Sequence, residues 1–196
     1  MSRKCIVMTL YLLFSTIAMA AEVVFDFESQ EEFAPWKIRT PHQDSWGPSP
    51  LLASSGEQSA RFETPQWEQG MQGWPAVEVT PPITDWSGYE RLVFDAVNPT
   101  DGIVSVNIFF TDSDTDFRNG FRAGFSLAPG SYERVEVDLA RCPQQVSLDD
   151  IALMHFYMSR PTHDFAWHID NMVLLKEGEA LPEPPAGFVR DRKSTR

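Results

Sequence analysis

Short runs of β-forming residues, each closed by proline, glycine, asparagine or aspartate, limit most strongly what this chain of 196 residues can fold into. In the run 104–110 apolar side chains recur at every second position, and the run 132–139 alternates valine and leucine with charged residues. A period of two is typical of strands that bury one face, and no stretch keeps the period of a helix. The sequence predicts nine strands, at 23–27, 59–63, 76–79, 91–97, 104–110, 122–127, 132–139, 151–158 and 167–175.

This number of short strands, separated by polar turns, determines the expected fold class. Many short strands within about 150 residues are typical of antiparallel sandwiches and jelly rolls. We therefore predict one all-β domain over residues 21–176, built as an antiparallel β-sandwich of the jelly-roll type, with little helix.

The two ends of the chain differ in composition from this region. Residues 1–20 combine Arg3 and Lys4 with an apolar run that ends in a small-x-small pattern, which predicts a secretory signal peptide and a secreted or periplasmic protein. The apolar run is shorter than a membrane span requires. Residues 177–196 are rich in glutamate and proline and predict a linker and tail, either of a truncated larger protein or of a free-standing module.

The charge and the cysteines narrow the possible partners. The chain has 28 acidic against 16 basic residues and a net charge of −12, which argues against binding to nucleic acid or to anionic membranes. The same charge favours a neutral ligand over a sulfated or carboxylated one. Once Cys5 leaves with the signal peptide, Cys142 has no partner for an internal disulfide, so packing, or packing and a metal, must stabilise the domain. We also expect a monomer.

Five short motifs follow one another in a distinctive order: FDFE at 25–28, DWSGY at 85–89, SYERVEV at 131–137, DIALMHF at 150–156 and IDNMVL at 169–174. In this order and spacing the chain resembles the galactose-binding-like jelly rolls among carbohydrate-binding modules, most closely the family 11 type that is attached to glycoside hydrolases. The resemblance covers about residues 23–176. It implies a non-catalytic domain that binds a polysaccharide and serves a secreted carbohydrate-active enzyme, with a catalytic domain beyond the linker.

Three carboxylates are candidates for a metal site. Asp26 and Glu28 lie two residues apart in the first predicted strand, so they project to the same side. The first and last strands of such jelly rolls run close together, which would bring Asp170 near this pair. Converging carboxylates repel one another unless a cation lies between them, and Ca²⁺ takes oxygen ligands. The resemblance also implies a structural calcium here, completed by backbone carbonyls around residues 54–56; solvated surface acids are the alternative.

Strand alternation predicts a ligand-binding face. In the run 104–110, Asn107 and Phe109 lie opposite the apolar set, and in the run 151–158 His155 and Tyr157 share a face. Arg122 belongs to a strand expected nearby. If one concave sheet carries these five side chains, they form a polar, aromatic cleft suited to an extended glycan, although a histidine satisfied within the core is the alternative for His155.

Two tryptophans in hydrophilic surroundings extend this candidate site. Trp67 and Trp74 lie in predicted loops with glutamine, glutamate and glycine nearby. Sugar rings present a face of C–H groups that lies flat on an indole ring, while their hydroxyls need polar partners. Both tryptophans therefore suit sugar stacking, and plugging one end of the sandwich is the alternative.

A cluster of aspartates at 112, 114 and 116 begins like an EF-hand loop but does not continue as one. Position six is Phe117 rather than glycine, and position twelve is Ala123 rather than glutamate. We predict a polar turn, or a rim that meets the ligand.

Two other functions stay open. Jelly-roll lyases use a tyrosine or histidine base with an arginine against a uronate, and Tyr157, His155 and Arg122 match those residue types. A net charge of −12 would repel a polyuronate, however, and no two acids have the spacing of a glycosidase pair, so we predict a protein that is not an enzyme. The second alternative is a structural sandwich that binds other proteins.

Overall fold

The computed structural model describes residues 21–40 and 43–181, so the predicted signal peptide at 1–20 and residues 182–196 of the predicted tail lie outside the described residues. Within the described ranges the regular structure consists of eleven strands, one single-turn α-helix and two 3₁₀ turns. The all-β prediction is confirmed. None of the helices in these two ranges is long and apolar enough to cross a membrane.

The strands are numbered β1 to β11 in chain order, and the short helix is α1. The strands are Glu22–Phe25, Lys37–Ile38, Ser45–Ser49, Ser59–Thr64, Ala76–Val79, Arg91–Val97, Val104–Asp112, Phe121–Leu127, Tyr132–Asp138, Ile151–Tyr157 and Phe165–Leu175. Helix α1 is Gln30–Phe33, and the 3₁₀ turns are Phe117–Asn119 and Leu139–Arg141.

Two antiparallel sheets form the sandwich. One has six strands, in the order β3-β4-β11-β6-β9, with β1 also paired with β11. The other has five strands, in the order β2-β5-β10-β7-β8. The pairing of β1 with β11 confirms that the first and last strands lie side by side.

The first strand is shorter than the sequence predicts. It ends at Phe25 because Phe27 adopts a φ of 59°, a left-handed conformation that a strand does not continue through. The Phe27 ring is nevertheless fully buried and stacks on Phe25 at a centroid distance of 5.5 Å, so packing offsets the strain. The prediction that Asp26 and Glu28 share one strand face is therefore wrong.

Strands β2 and β3 were not predicted. Strand β2 has only two residues, and β3 contains Gly47 and Pro48, residue types that are depleted in strands and tolerated mainly at sheet edges. Both strands lie at sheet edges. Their tertiary position, rather than local preference, makes them strands.

Aromatic rings fill the space between the two sheets. Phe156 of β10 contacts Phe94 of β6 and Trp167 of β11 at centroid distances of 5.4 and 5.5 Å, both near perpendicular. Trp36, in the segment after α1, stacks on the same Phe156 ring at 6.3 Å. This contact network joins both sheets through β10, so it also fixes which residues of β10 point outward.

We predict that Phe156→Ala lowers the free energy of unfolding by about 3–5 kcal/mol, because it removes a ring that contacts both sheets and leaves a cavity. Urea denaturation measures the change. Ile103→Ala is the matched control: Ile103 is an exposed apolar residue, and its truncation should change stability by less than about 0.5 kcal/mol. Equal effects of the two substitutions would contradict this account of the core.

Candidate ligand-binding cleft

The register of the five-stranded sheet brings residues from four strands into rows on its outer face. Residues directly opposite each other in antiparallel strands point to the same side of the sheet. Two adjacent rows therefore share the face that points away from the core: Glu78, His155, Phe109 and Arg122 form one row, and Ala76, Tyr157, Asn107 and Gly124 form the next.

A cleft of about 370 Å³ lies over these rows. Its volume is within the range of small-molecule sites, about 300–1,000 Å³. Five of the seven predicted ligand-binding residues line it. The lining residues are Arg39, Gln72, Trp74, Ala76, Phe109, Phe117, Arg122, His155 and Tyr157.

Phe109 and His155 form the floor of the cleft rather than its exposed wall. Phe109 is 0% exposed and His155 is 2% exposed, and their rings stack at a centroid distance of 4.7 Å. Phe117 covers them, with its ring 4.4 Å from Phe109 and 5.6 Å from His155. A ligand would therefore meet the rings around this floor first.

The turn that carries Phe117 is attached to the sheet by Arg122. The guanidinium group donates hydrogen bonds to the carbonyl oxygens of Phe117, Arg118 and Gly120 at 2.7, 3.1 and 3.0 Å, and it lies over the Phe109 ring at 4.8 Å. The predicted polar turn thus bends back over the sheet. The only sequence signal for Phe117 is an aromatic residue within an aspartate-rich loop.

Exposed aromatic rings form the walls of the cleft. Trp74 is 54% exposed and lies 6.1 Å from the partly buried Tyr157 ring, while Phe117 is 48% exposed. Gln72 and Arg39 add polar groups at the rim. Sequence reasoning missed Phe117, Gln72 and Arg39, because each belongs to a segment outside the recognisable strands.

The remaining two predicted residues do not line the cleft. Asn107 lies on the same face, opposite Tyr157 and Gly124. Trp67 is part-buried: its indole Nε1 donates to the Met71 carbonyl, and the Arg160 guanidinium covers its ring at 4.9 Å. These contacts fit the packing alternative for Trp67.

The titratable group in the floor is neutral at physiological pH. Burial lowers the pKa of His155 to about 4, and the positive charges of Arg39 and Arg122 act in the same direction. Its buried Nδ1 has no hydrogen-bond partner among the described residues. The cleft therefore holds a neutral imidazole under a ring.

The predicted metal ligands do not meet as one group. Asp170 accepts hydrogen bonds from the backbone amides of Ser54 and Ser55, and Glu28 accepts them from the amides of Glu57 and Gln58. Within the described part of the chain, no three histidine, cysteine or acidic side chains come together to hold a metal. The loop 54–58 lies where the prediction placed it, but it offers N–H groups to these carboxylates instead of carbonyl oxygens.

Gly56 allows this close contact. It has a φ of 60°, and a Cβ added there would collide with the carboxylate of Glu28. Burial raises the pKa of Asp170 to about 6, although the amide hydrogen bonds oppose the shift. The two carboxylates thus hold the loop against β11 and the segment after β1.

Carbohydrate-binding modules and agarases are among the solved structures with this architecture. A family 11 carbohydrate-binding module from Clostridium thermocellum, in complex with a β-1,3-1,4-mixed-linked tetrasaccharide, matches with a TM-score of 0.55 at 14% identity, over 79% of this chain and 95% of that one. A family 28 module described as specific for non-crystalline cellulose matches with a TM-score of 0.58 at 11% identity, over 80% and 95% of the two chains. An exo-β-agarase matches with a TM-score of 0.62 at 14% identity, over 84% of this chain.

The resemblance stated from the sequence is confirmed at the level of the fold: the chain has the jelly-roll sandwich of carbohydrate-binding modules of the family 11 type. It spans 25% of the length of the agarase. No family model matches the sequence. No curated protein matches it.

The buried histidine gives a pH dependence that His155→Phe should remove. Above about pH 6.5 the imidazole is neutral in both the folded and the unfolded state. Between about pH 6.5 and pH 4 only the unfolded chain binds the proton, so the free energy of unfolding decreases as the pH is lowered. We expect the wild type to lose about 2 kcal/mol through this group between about pH 7.5 and pH 5. Urea unfolding of both proteins at each pH measures it, because all other groups cancel in the difference. Parallel pH profiles would contradict the assignment.

Calcium binding at Asp26, Glu28 and Asp170 stays a prediction, and thermal unfolding tests it. Protein treated with a chelator is compared before and after addition of excess CaCl₂, with MgCl₂ as the control for ionic strength. A bound structural ion raises Tm by mass action, so a selective rise with calcium supports the prediction. An unchanged Tm contradicts it.

Proposed function

We propose that the cleft binds a polysaccharide without catalysis and that the domain is an accessory module of a secreted carbohydrate-active enzyme. The observation that carries the proposal is the group of partly exposed rings, Trp74, Tyr157 and Phe117, around one cleft on the outer face of a sheet. A contiguous group of exposed apolar rings, rimmed by polar residues, is typical of a ligand-binding groove.

The chemistry of the cleft matches both sides of a sugar. The C–H face of a pyranose packs on an aromatic ring, and its hydroxyls need hydrogen-bond partners. Gln72, Arg39 and the rest of the Arg122 guanidinium supply such partners at the rim. Because the contacts are shallow and solvated, we expect a Kd on the order of 10⁻⁵ to 10⁻³ M, or about 4 to 7 kcal/mol.

The comparisons support this proposal without extending to the ligand. The family 11 and family 28 matches cover nearly all of those modules, and the agarase match covers a quarter of a larger enzyme. A sandwich that recurs both as a module and as one part of an enzyme fits an accessory role. A catalytic domain beyond residues 177–196 belongs to the same proposal.

The geometry of His155 argues against catalysis by this cleft. A general base must come within hydrogen-bond distance of the proton that it removes. The imidazole is neutral, but its pKa, lowered to about 4, makes it a weak base, and it is 2% exposed beneath Phe117. A lyase reaction with His155 as the base would therefore need the Phe117 turn to move away first.

We predict that Trp74→Ala weakens binding to the recognised polysaccharide by about tenfold or more, equal to about 1.4 kcal/mol, because it removes the most exposed stacking surface. Affinity gels containing agarose, mixed-linkage β-glucan, xylan or mannan measure retardation. Ile103→Ala is the control, since Ile103 is exposed to a similar extent but does not line the cleft.

Product release is assayed beside the gels. Retardation without new reducing ends or unsaturated products supports a binding module. Turnover of any of these glycans would establish an enzyme, and retardation equal in wild type and Trp74→Ala would place the site elsewhere. Absence of both effects would leave a protein-interaction role.

A further inference from the structure

The cleft has a local charge opposite to that of the whole protein. The chain carries 28 acidic and 16 basic residues, yet the described residues that line the cleft include two arginines and no aspartate or glutamate. Arg39 and Arg122 both lie close enough to His155 to help lower its pKa. The net charge of the whole chain therefore does not describe the charge of this cleft.

The two guanidinium groups are only partly neutralised. Arg122 is exposed and forms no ion pair with another described residue; its three hydrogen bonds go to carbonyl oxygens of the Phe117 turn. Three of five N–H donors are thereby used, and the others stay available to a ligand. Arg39 contacts Glu78 at 3.7 Å, and its side chain is 47% exposed.

Resting on the polysaccharide binding proposed above, we propose that the recognised glycan carries an anionic substituent, a sulfate ester or a uronate carboxylate, that binds Arg122 and Arg39 beside the aromatic walls. Guanidinium groups match these planar or tetrahedral oxyanions with paired hydrogen bonds. The apolar floor formed by Phe109 and His155 excludes water beneath them, which strengthens such a bond.

The net charge of −12 limits how dense the substituents can be. A heavily charged polyanion is repelled by the acidic surface over a Debye length of about 8 Å at physiological salt, whereas one isolated charge senses mainly the arginines nearest to it. The ligand is therefore a largely neutral chain with sparse charged groups. This refines the expectation of a neutral glycan, which rests on the overall charge alone.

Matched pairs of polysaccharides test the proposal. Glucuronoxylan is compared with unsubstituted xylan for the carboxylate, and sparsely sulfated agaropectin with agarose for the sulfate; alginate and κ-carrageenan serve as dense polyanions. We expect wild-type protein to bind one substituted chain about fivefold or more tightly than its neutral partner, with a preference that declines as NaCl is raised. The dense polyanions should bind more weakly than that chain.

Variants assign the effect to the cleft. Arg39→Gln should lower the affinity for the substituted chain by a larger factor than the affinity for the neutral chain, because it removes a positive charge but keeps hydrogen-bonding groups at the rim. Glu78→Gln should increase the preference, because it frees Arg39 from its only ion pair among the described residues. Arg61→Gln is the control: Arg61 belongs to the other sheet, is exposed to a similar extent and pairs with Glu63.

Glycan binding by Arg122→Gln is interpreted together with the Tm of that variant, because Arg122 also holds the Phe117 turn in place. Arg39 has no such role. Equal affinity for substituted and neutral chains, or equal loss of both in Arg39→Gln, would overturn the anionic ligand and leave polysaccharide binding intact. Absence of binding to every glycan would overturn both proposals.

Discussion

Strand β10 must satisfy two environments at once, and the rest of the structure depends on it. Met154 and Phe156 enter the core between the sheets, while His155 and Tyr157, one residue further along in each case, face outward to the cleft. Pairing with β5 on one side and β7 on the other fixes this alternation. A shift of one residue would bury Tyr157 in an aromatic core and expose Phe156, so core packing and site geometry are determined together.

The sequence was sufficient for the outer face of β7 and β10, which depends on alternation. A period of two in β7 and β10 places Phe109, His155 and Tyr157 on one face, and the register of the sheet then adds Arg122. It was not sufficient for Phe117, because the position of that ring depends on hydrogen bonds between Arg122 and a turn that carries no periodic signal. The same holds for the edge strands, whose pairing overrides unfavourable local composition.

The carboxylate prediction shows how a correct topology can accompany an incorrect local geometry. The pairing of β1 with β11 does bring Glu28 and Asp170 to one loop, as expected. The left-handed φ of Phe27, however, ends the strand before Asp26 and Glu28 can share a face. Backbone N–H groups of residues 54–58 then donate hydrogen bonds to these carboxylates in place of a cation. No sequence pattern predicts such backbone donors.

The Phe117 turn lies outside the hydrogen-bonded ladder of the sheet, between the end of β7 and the start of β8. It is joined to the scaffold by hydrogen bonds of the Arg122, Ser113 and Thr115 side chains and by ring contacts of Phe117, not by strand pairing. Changes in its length and sequence consequently disturb the sandwich less than changes in a paired strand. Natural homologues and laboratory libraries can therefore vary the connection between β7 and β8. Such changes alter the ligand preference and leave the two sheets as they are.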